Sequence, residues 1–190
     1  MKRVVTSPPF FTNTYILRVD DELLVVDPGA GIGKHVNDEV SVILTHAHYD
    51  HIVGIRELKV KHVFVSPEDA EMLKNPKMNL SDLFGDPFVF DGMVMNLDEY
   101  FQTISAPGHT PGSRVVIMKN RVFTGDVIFC SSIGRTDLPG GNEELMKESL
   151  KKIRQFLETL PPDTPVFPGH MELCTVRHIL DLNPFFNGTI

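Results

Sequence analysis

The residues best suited to chemistry lie in one short stretch, Thr45–His51, which reads THAHYDH. It places three imidazoles and one carboxylate within six residues. The apolar run 40–44 precedes it, and this short, β-branched run predicts a buried strand that ends where the histidines begin. A two-residue step returns side chains to the same side of an extended chain. We therefore expect the first two histidines to point together, with the aspartate and third histidine at a neighbouring position.

These four side chains, His46, His48, Asp50 and His51, have the chemistry of metal ligands. Imidazole nitrogen and carboxylate oxygen suit zinc, iron or manganese, and no nearby thiolate indicates a closed structural site. The other interpretation is a polar loop with histidines in ordinary surface roles. Three histidines within six residues, with an aspartate between them, favour the metal site.

Three further candidate ligands follow later strand patterns. They are His109 in APGHTPGS, Asp126 in TGD and His170 in PGH. Taken singly, each histidine is equally well explained as a loop residue beside a turn glycine. Together with the first cluster they indicate that distant parts of the chain hold metal.

In this order, and with the stretch Ser132–Gly141 (SIGRTDLPGG), the motifs resemble those of the metallo-β-lactamase-fold hydrolases. Within that family the resemblance is to the glyoxalase II-like, or hydroxyacylglutathione hydrolase-like, branch. It runs from about the first predicted hairpin to Pro184. It implies an α/β (α+β) fold, an αββα sandwich of two mixed β-sheets flanked by helices, with the metals at one edge of the sheets.

The resemblance also implies the ligands of a binuclear metal site. The first ion would be held by His46, His48 and His109, the second by Asp50, His51 and His170, with Asp126 bridging both. Zinc is the expected ion, and iron or manganese also suits these donors.

Such a site predicts hydrolysis. Two divalent ions about 3.5 to 4 Å apart can share a water, lower its pKa and polarise a carbonyl. Asp50 is the predicted catalytic residue, because its carboxylate can accept a hydrogen bond from the hydroxide and orient its attack. The expected substrate is a small molecule, an S-acylglutathione or related thioester, because a thiolate leaves without a strong acid behind it.

Other functions stay open at this stage. Persulfide dioxygenases share the fold and bind one iron through two histidines and an aspartate, here His46, His109 and Asp126. A lactonase and a non-catalytic metal-binding module are further alternatives, and fold alone also allows β-lactam hydrolysis. Arg135 and Asp137 suggest an ion pair that shapes the pocket, and Tyr49 and Thr110 are candidate supports for the ligands.

Glyoxalase II itself has a helical C-terminal domain that supplies much of its glutathione-binding surface. We expect residues 1–190 to form one metallo-β-lactamase-fold domain without that addition. Other small thioesters and lactones are therefore alternative substrates to S-lactoylglutathione.

Composition agrees with one soluble domain. The 190 residues are 42% hydrophobic and 23% charged, and the net charge of −7 argues against nucleic acid and anionic membranes as partners. The N-terminus does not read as a secretion signal. We expect a cytoplasmic protein in which Cys130 and Cys174 are reduced thiols. Composition leaves the oligomeric state open.

The elements that position these residues are strands and helices mixed along the chain. The runs 14–19 and 22–26 predict a hairpin, and Asn142 is the predicted N-cap of a long amphipathic helix. Residues 75–96 have no sustained hydrophobic period, which predicts a mobile flap or connection that helps to wall a pocket. His62 reads as a surface residue of a strand.

Overall fold

The strand predicted before the histidines is β4 (Glu39–Ile43), whose last four residues are buried. It lies inside a six-stranded mixed sheet in the first of two compact units, Met1–Glu99; the second unit begins at Tyr100. The structure, a computed structural model, describes residues 1–187. Residues 188–190 of the predicted single domain lie outside that range.

The first sheet has the strand order β1-β2-β3-β4-β5-β6. Its strands are β1 (Lys2–Val5), β2 (Asn13–Val19), β3 (Glu22–Val26), β4, β5 (Lys59–Val65) and β6 (Val94–Asn96). Strands β3 to β6 run parallel to one another, so their carboxyl ends share one edge of the sheet. The helices that connect or follow these strands are α1 (Tyr49–Ile52), α2 (Pro67–Ala70) and α3 (Leu97–Tyr100). This part of the chain also has 3₁₀ turns at Ile32–Lys34, Val53–Glu57, Met72–Lys74 and Ser81–Phe84.

The predicted hairpin is confirmed as the antiparallel pair β2 and β3. Its two turn residues, Asp20 and Asp21, both have left-handed backbones, with φ of 46° and 67°. A two-residue turn of this hand matches the right-handed twist of the strands that it joins, and aspartate tolerates that conformation better than most residues.

The second unit carries a five-stranded mixed sheet of order β11-β10-β9-β8-β7. Its elements are β7 (Gln102–Ser105), β8 (Arg114–Met118), β9 (Arg121–Gly125), α4 (Glu143–Leu157), β10 (Pro165–Pro168), β11 (Cys174–Thr175) and α5 (Val176–Leu182). Strands β9 and β10 are parallel neighbours, so the loops that follow them begin at the same edge.

Helix α4 is the predicted amphipathic helix. The Asn142 side chain caps it by accepting a hydrogen bond from the Leu145 amide at 3.0 Å. Its apolar face is buried, and each such side chain contributes about 1.5 to 3 kcal/mol of transfer free energy. That face consists of Met146, Leu150, Ile153 and Leu157.

The segment 75–96, predicted to be a mobile flap or connection, is a connection with buried internal hydrogen bonds. The Asn79 side chain is fully buried and donates to the carbonyls of Met72 and Phe88, both at 3.0 Å. Residues Val94–Asn96 also add strand β6 to the sheet. The segment is organised by side-chain to backbone hydrogen bonds, which leave no hydrophobic period in the sequence.

The prediction of two reduced thiols also differs from the structure, in which Cys130 and Cys174 form a disulfide with their Cα atoms 5.8 Å apart. The two residues are 44 positions apart in sequence, so only the fold brings them together.

The α/β class with two mixed sheets and helices is confirmed. Over residues 1–187, every helix is too short or too polar to cross a lipid bilayer.

Candidate metal centre

Strand β4 ends just before the histidine stretch, Thr45–His51. His46, His48 and His51 are each at most 2% exposed. The ring centroid of His46 lies 5.0 Å from that of His48 and 4.2 Å from that of His51. The structure therefore gathers the three imidazoles into one buried cluster at the end of the strand.

Asp50 lies against this cluster. Its Oδ2 is 3.3 Å from His51 Nε2 and accepts a hydrogen bond from Thr12 Oγ1 at 2.7 Å. The separation from His51 exceeds the usual N–H···O distance of about 2.9 Å. It fits two ligands of one tetrahedral ion, because ligand atoms roughly 2.1 Å from an ion lie roughly 3.4 Å from each other.

Asp27 directly follows β3, the strand beside β4 in the sheet, and supports the cluster. It is 1% exposed, its Oδ1 accepts from the Thr45 amide at 2.8 Å, and its Oδ2 accepts from Thr45 Oγ1 at 2.7 Å. The same Oδ2 lies 3.2 Å from His51 Nδ1, on the opposite side of the ring from Asp50. This leaves His51 Nε2 for a metal.

Asp27, His46 and His51 also have potential ligand atoms within 4.8 Å of one another. Because both Asp27 oxygens already accept hydrogen bonds from Thr45, we interpret Asp27 as a positioning residue. Asp27 is not among the residues predicted from the sequence. The available signal was its place directly after strand β3, which runs parallel to β4 and ends at the same edge.

We predict that Asp27→Asn weakens metal binding or activity about 10- to 100-fold, because His51 loses the carboxylate that orients it. Competition with a chromophoric chelator measures the affinity. Asp20→Asn, in the exposed hairpin turn, is the matched control. An unchanged affinity in Asp27→Asn would contradict the positioning role.

A second buried carboxylate holds the backbone of the histidine stretch. Asp69, fully buried in helix α2, accepts a hydrogen bond from the Ala47 amide at 2.9 Å. The Tyr49 amide donates to the Asn79 carbonyl at 2.7 Å. The positions of the histidines thus depend on elements well downstream of them.

Tyr49 lies between two candidate ligands in sequence, but its hydroxyl donates to Asp86 Oδ2 at 2.5 Å. Burial and this hydrogen bond to a carboxylate raise the pKa of Tyr49 to about 12. Arg56 also bonds Asp86, and the two donors lower the pKa of Asp86 to about 2. The ring of Tyr49 stacks on Phe84 with centroids 5.6 Å apart.

We predict that Asp86→Ala lowers the pKa of Tyr49 from about 12 towards its ordinary 10, part of the way because burial remains. Tyrosinate absorbance, compared with that of Tyr49→Phe, isolates this transition. A neutral Tyr49 stabilises the folded state below about pH 10, and this contribution is lost as pH rises through 12. A Tyr49 transition at the same pH in both proteins would contradict the coupling to Asp86.

The second unit contains the other three candidates. His109 lies in the loop between β7 and β8, Asp126 follows β9, and His170 follows β10. The Gly169 amide donates to the Gly125 carbonyl at 2.8 Å, which joins the loops after the two parallel strands.

A single oxygen of Asp126 faces both histidines of this unit. Asp126 Oδ2 lies 3.3 Å from His170 Nε2 and 3.7 Å from His109 Nε2. Both separations fit ligand atoms arranged around divalent ions, by the same tetrahedral geometry as for Asp50 and His51. The donors present therefore fit the metals that the sequence predicts.

The orientation of His109 is fixed by the loop that follows Asp126. Its Nδ1 donates to the Arg135 carbonyl at 2.8 Å, which leaves Nε2 as the nitrogen available to a metal. Gly134 permits this contact, because a Cβ there would come within 1.7 Å of the Asp126 carbonyl oxygen.

Three other residues named from the sequence have structural contacts. Arg135 and Asp137 form the expected ion pair at 2.7 Å, with both side chains more than 60% exposed. An exposed pair contributes little to stability. Thr110 Oγ1 lies 2.8 Å from Ser113 Oγ and closes the turn after His109.

The chain is similar in sequence to a known protein family and to relatives named as hydrolases. The family model described as Metallo-beta-lactamase superfamily matches residues 7–170, which include every candidate ligand. "Probable metallo-hydrolase YqgX" of Bacillus subtilis (strain 168) is 34% identical, over 95% of this chain and 94% of the relative. "Hydroxyacylglutathione hydrolase GloC" of Haemophilus influenzae is 32% identical, over 89% of this chain and 90% of the relative.

Two solved structures also match this chain over nearly all of its length. "BLEG-1 B3 metallo-beta-lactamase" superposes with a TM-score of 0.83 at 31% identity, covering 98% of this chain and 99% of that one. "TTHA1623 in a di-iron-bound form" gives a TM-score of 0.81 at 28% identity, covering 97% and 100%. The fold and the His/Asp groups together imply that this chain binds divalent metal.

Proposed function

Because the chain belongs to the metallo-β-lactamase superfamily, we propose that it is a metal-dependent hydrolase that cleaves small thioesters with two divalent ions, zinc first among them. The observation that carries this proposal is the single Asp126 oxygen placed 3.3 and 3.7 Å from the Nε2 atoms of His170 and His109. A carboxylate between two histidines of different proposed ligand sets suits a bridging role.

The ligand sets that we propose are those of the sequence analysis. One ion is assigned His46, His48 and His109; the other is assigned Asp50, His51 and His170; Asp126 is assigned to both. The 3.3 Å separation of Asp50 Oδ2 from His51 Nε2 supports the second set. The family model supports the joint use of all seven, because one match spans them.

Bound ions would supply polarisation of the substrate carbonyl and a water acidified towards neutrality. The protein's own contribution is orientation. Thr12 holds the Asp50 carboxylate by a 2.7 Å hydrogen bond. In that position Asp50 accepts a hydrogen bond from the attacking water and directs it at the carbonyl. A thioester needs no general acid, because its thiolate leaving group is stable as an anion.

The relative named hydroxyacylglutathione hydrolase supports the thioester class. This chain spans 90% of that relative's length. The relative therefore has little room for an added helical domain, so a chain of this size is compatible with a glutathione thioester as substrate.

β-Lactam hydrolysis is the second candidate, because a protein titled as a B3 metallo-β-lactamase superposes with a TM-score of 0.83. A β-lactam also offers a carbonyl to an activated water. It differs in its leaving group, an amine nitrogen that must be protonated on departure.

The test is a substrate panel on purified protein whose metal content has been quantified. We expect about two ions per chain, turnover of S-lactoylglutathione or a simpler acyl thioester followed by loss of thioester absorbance, and slower turnover of a cephalosporin. The panel includes glutathione persulfide with an oxygen electrode. One iron per chain with oxygen consumption would replace the hydrolase by a dioxygenase, and a preference for the cephalosporin would favour the lactamase.

A further inference from the structure

The disulfide connects the two segments that carry Asp126 and His170. Cys130 lies four residues after Asp126, and Cys174 lies four residues after His170. At their other ends the two segments are joined by the hydrogen bond between Gly169 and Gly125. Each ligand therefore lies between a backbone hydrogen bond and the covalent link.

The segment after His170 is held in a costly conformation. Met171 has a left-handed backbone with φ of 65°, although its side chain is 53% exposed. A non-glycine residue is strained in this conformation and keeps it only where the surrounding structure holds it there. The disulfide three residues further on is such a constraint.

A ring contact also joins the two segments, and Asn183 anchors the first of them. The ring of Phe129 lies edge-on to His170, with centroids 6.2 Å apart. The Asn183 side-chain Nδ2 donates to the carbonyls of Phe129 and Ser132 at 2.9 and 3.0 Å. A change at Cys130 therefore acts on residues that contact His170.

We propose that Cys130–Cys174 is a redox-modification site that controls how firmly His170 is held beside Asp126. With the disulfide formed, the strained turn at Met171 persists and His170 stays in place. With the disulfide reduced, the turn relaxes and His170 binds its ion less tightly. This inference rests on the proposed function in taking both residues as metal ligands.

The chemistry is thiol–disulfide exchange with a dithiol. Cys130 is 1% exposed, whereas Cys174 is partly exposed, so an incoming thiolate attacks Cys174 Sγ. The S–S bond breaks, and Cys130 leaves as a thiolate and takes up a proton. The second thiol of the reductant then attacks the mixed disulfide and releases Cys174. The reductant ends as a disulfide, having given two electrons and two protons.

The buried half of the pair has a partner for its reduced state. Cys130 Sγ lies 3.2 Å from the Glu172 carbonyl oxygen, which can accept a hydrogen bond from the new thiol. Reduction therefore leaves no unsatisfied polar group at Cys130, and the change can be reversed by reoxidation.

The experiment compares metal release from three preparations of the full chain. These are the oxidised protein, the protein reduced with dithiothreitol and then desalted anaerobically, and Cys130→Ser/Cys174→Ser. Release is followed with a chromophoric chelator, and free thiols are counted in parallel. We expect one equivalent of metal to leave the reduced protein and the double variant about 10- to 100-fold faster than the oxidised protein.

Met171→Gly separates the mechanism from general destabilisation. Glycine adopts the left-handed turn without strain, so the difference between oxidised and reduced protein should shrink several-fold in this variant. Limited proteolysis gives a readout that needs no metal, and cleavage between Met171 and Leu173 should quicken on reduction.

The outcomes are distinct. If both redox states hold two ions and release them at the same rate, or if the air-oxidised protein retains two free thiols, the redox site is disproved and the proposed hydrolase stands. If neither state binds metal, the proposed function fails. Faster proteolysis on reduction would then still show that the disulfide holds the turn at Met171.

Discussion

Asp126→Ala is expected to lower hydrolytic turnover about 1,000-fold or more, a barrier increase of roughly 4 kcal/mol. The reason is that one side-chain oxygen lies beside both His109 and His170, so its removal takes a ligand from each proposed ion. The loss should exceed that of any substitution in a supporting residue. Turnover and metal content are measured together, by thioester absorbance and elemental analysis.

The matched control is Asp137→Ala, eleven residues along the same chain segment. Its carboxylate is 68% exposed and pairs with Arg135, so turnover should stay within a few-fold of wild type. Circular dichroism excludes simple unfolding of the Asp126 variant. Comparable turnover with a full complement of metal in Asp126→Ala would show that the bridging assignment is wrong.

The sequence predicts the candidate ligands because their types and positions are local properties. A strand followed by THAHYDH predicts metal ligands without knowledge of the fold. An aspartate or histidine directly after a glycine at a strand end does the same. The hairpin and helix α4 are predictable for the same reason. Their signals, a turn between apolar runs and a capped apolar period, lie within one segment.

The supporting residues depend on which strands become neighbours. Asp27 matters because β3 runs parallel to β4, which brings its carboxylate to Thr45 and His51. Asp69 reads in sequence as an ordinary first-turn acid of a helix, and only the fold places it on the Ala47 amide. A local sequence pattern does not predict which strands become neighbours. The supporting roles of these residues therefore could not be predicted from the sequence.

The same limit explains the disulfide and the segment 75–96. A pairing between Cys130 and Cys174 requires the loops after β9 and β10 to be adjacent, which follows from the parallel pairing of those strands. Asn79 organises its segment by hydrogen bonds to carbonyls seven and nine residues away. Neither feature produces a hydrophobic period.

Gly134→Ala is the other substitution with a large expected effect, although glycine carries no functional group. An added Cβ would lie 1.7 Å from the Asp126 carbonyl oxygen and 3.2 Å from His109 Nδ1. Contact with a backbone oxygen cannot be relieved by a side-chain rotation, so the loop itself must move. That movement withdraws the Arg135 carbonyl from His109 and displaces the backbone of Asp126.

We expect Gly134→Ala to weaken metal binding about 100-fold, at the upper end for loss of a supporting contact, because two ligands are disturbed at once. Overpacking should also lower the free energy of unfolding by about 1 to 3 kcal/mol. Chelator competition and urea denaturation measure the two effects. Gly85→Ala is the control, because no atom lies within 4 Å of its added Cβ and the cost there is that of a positive φ alone. If both variants lose the same stability and both keep their metal, close packing of Gly134 against Asp126 does not position the ligands.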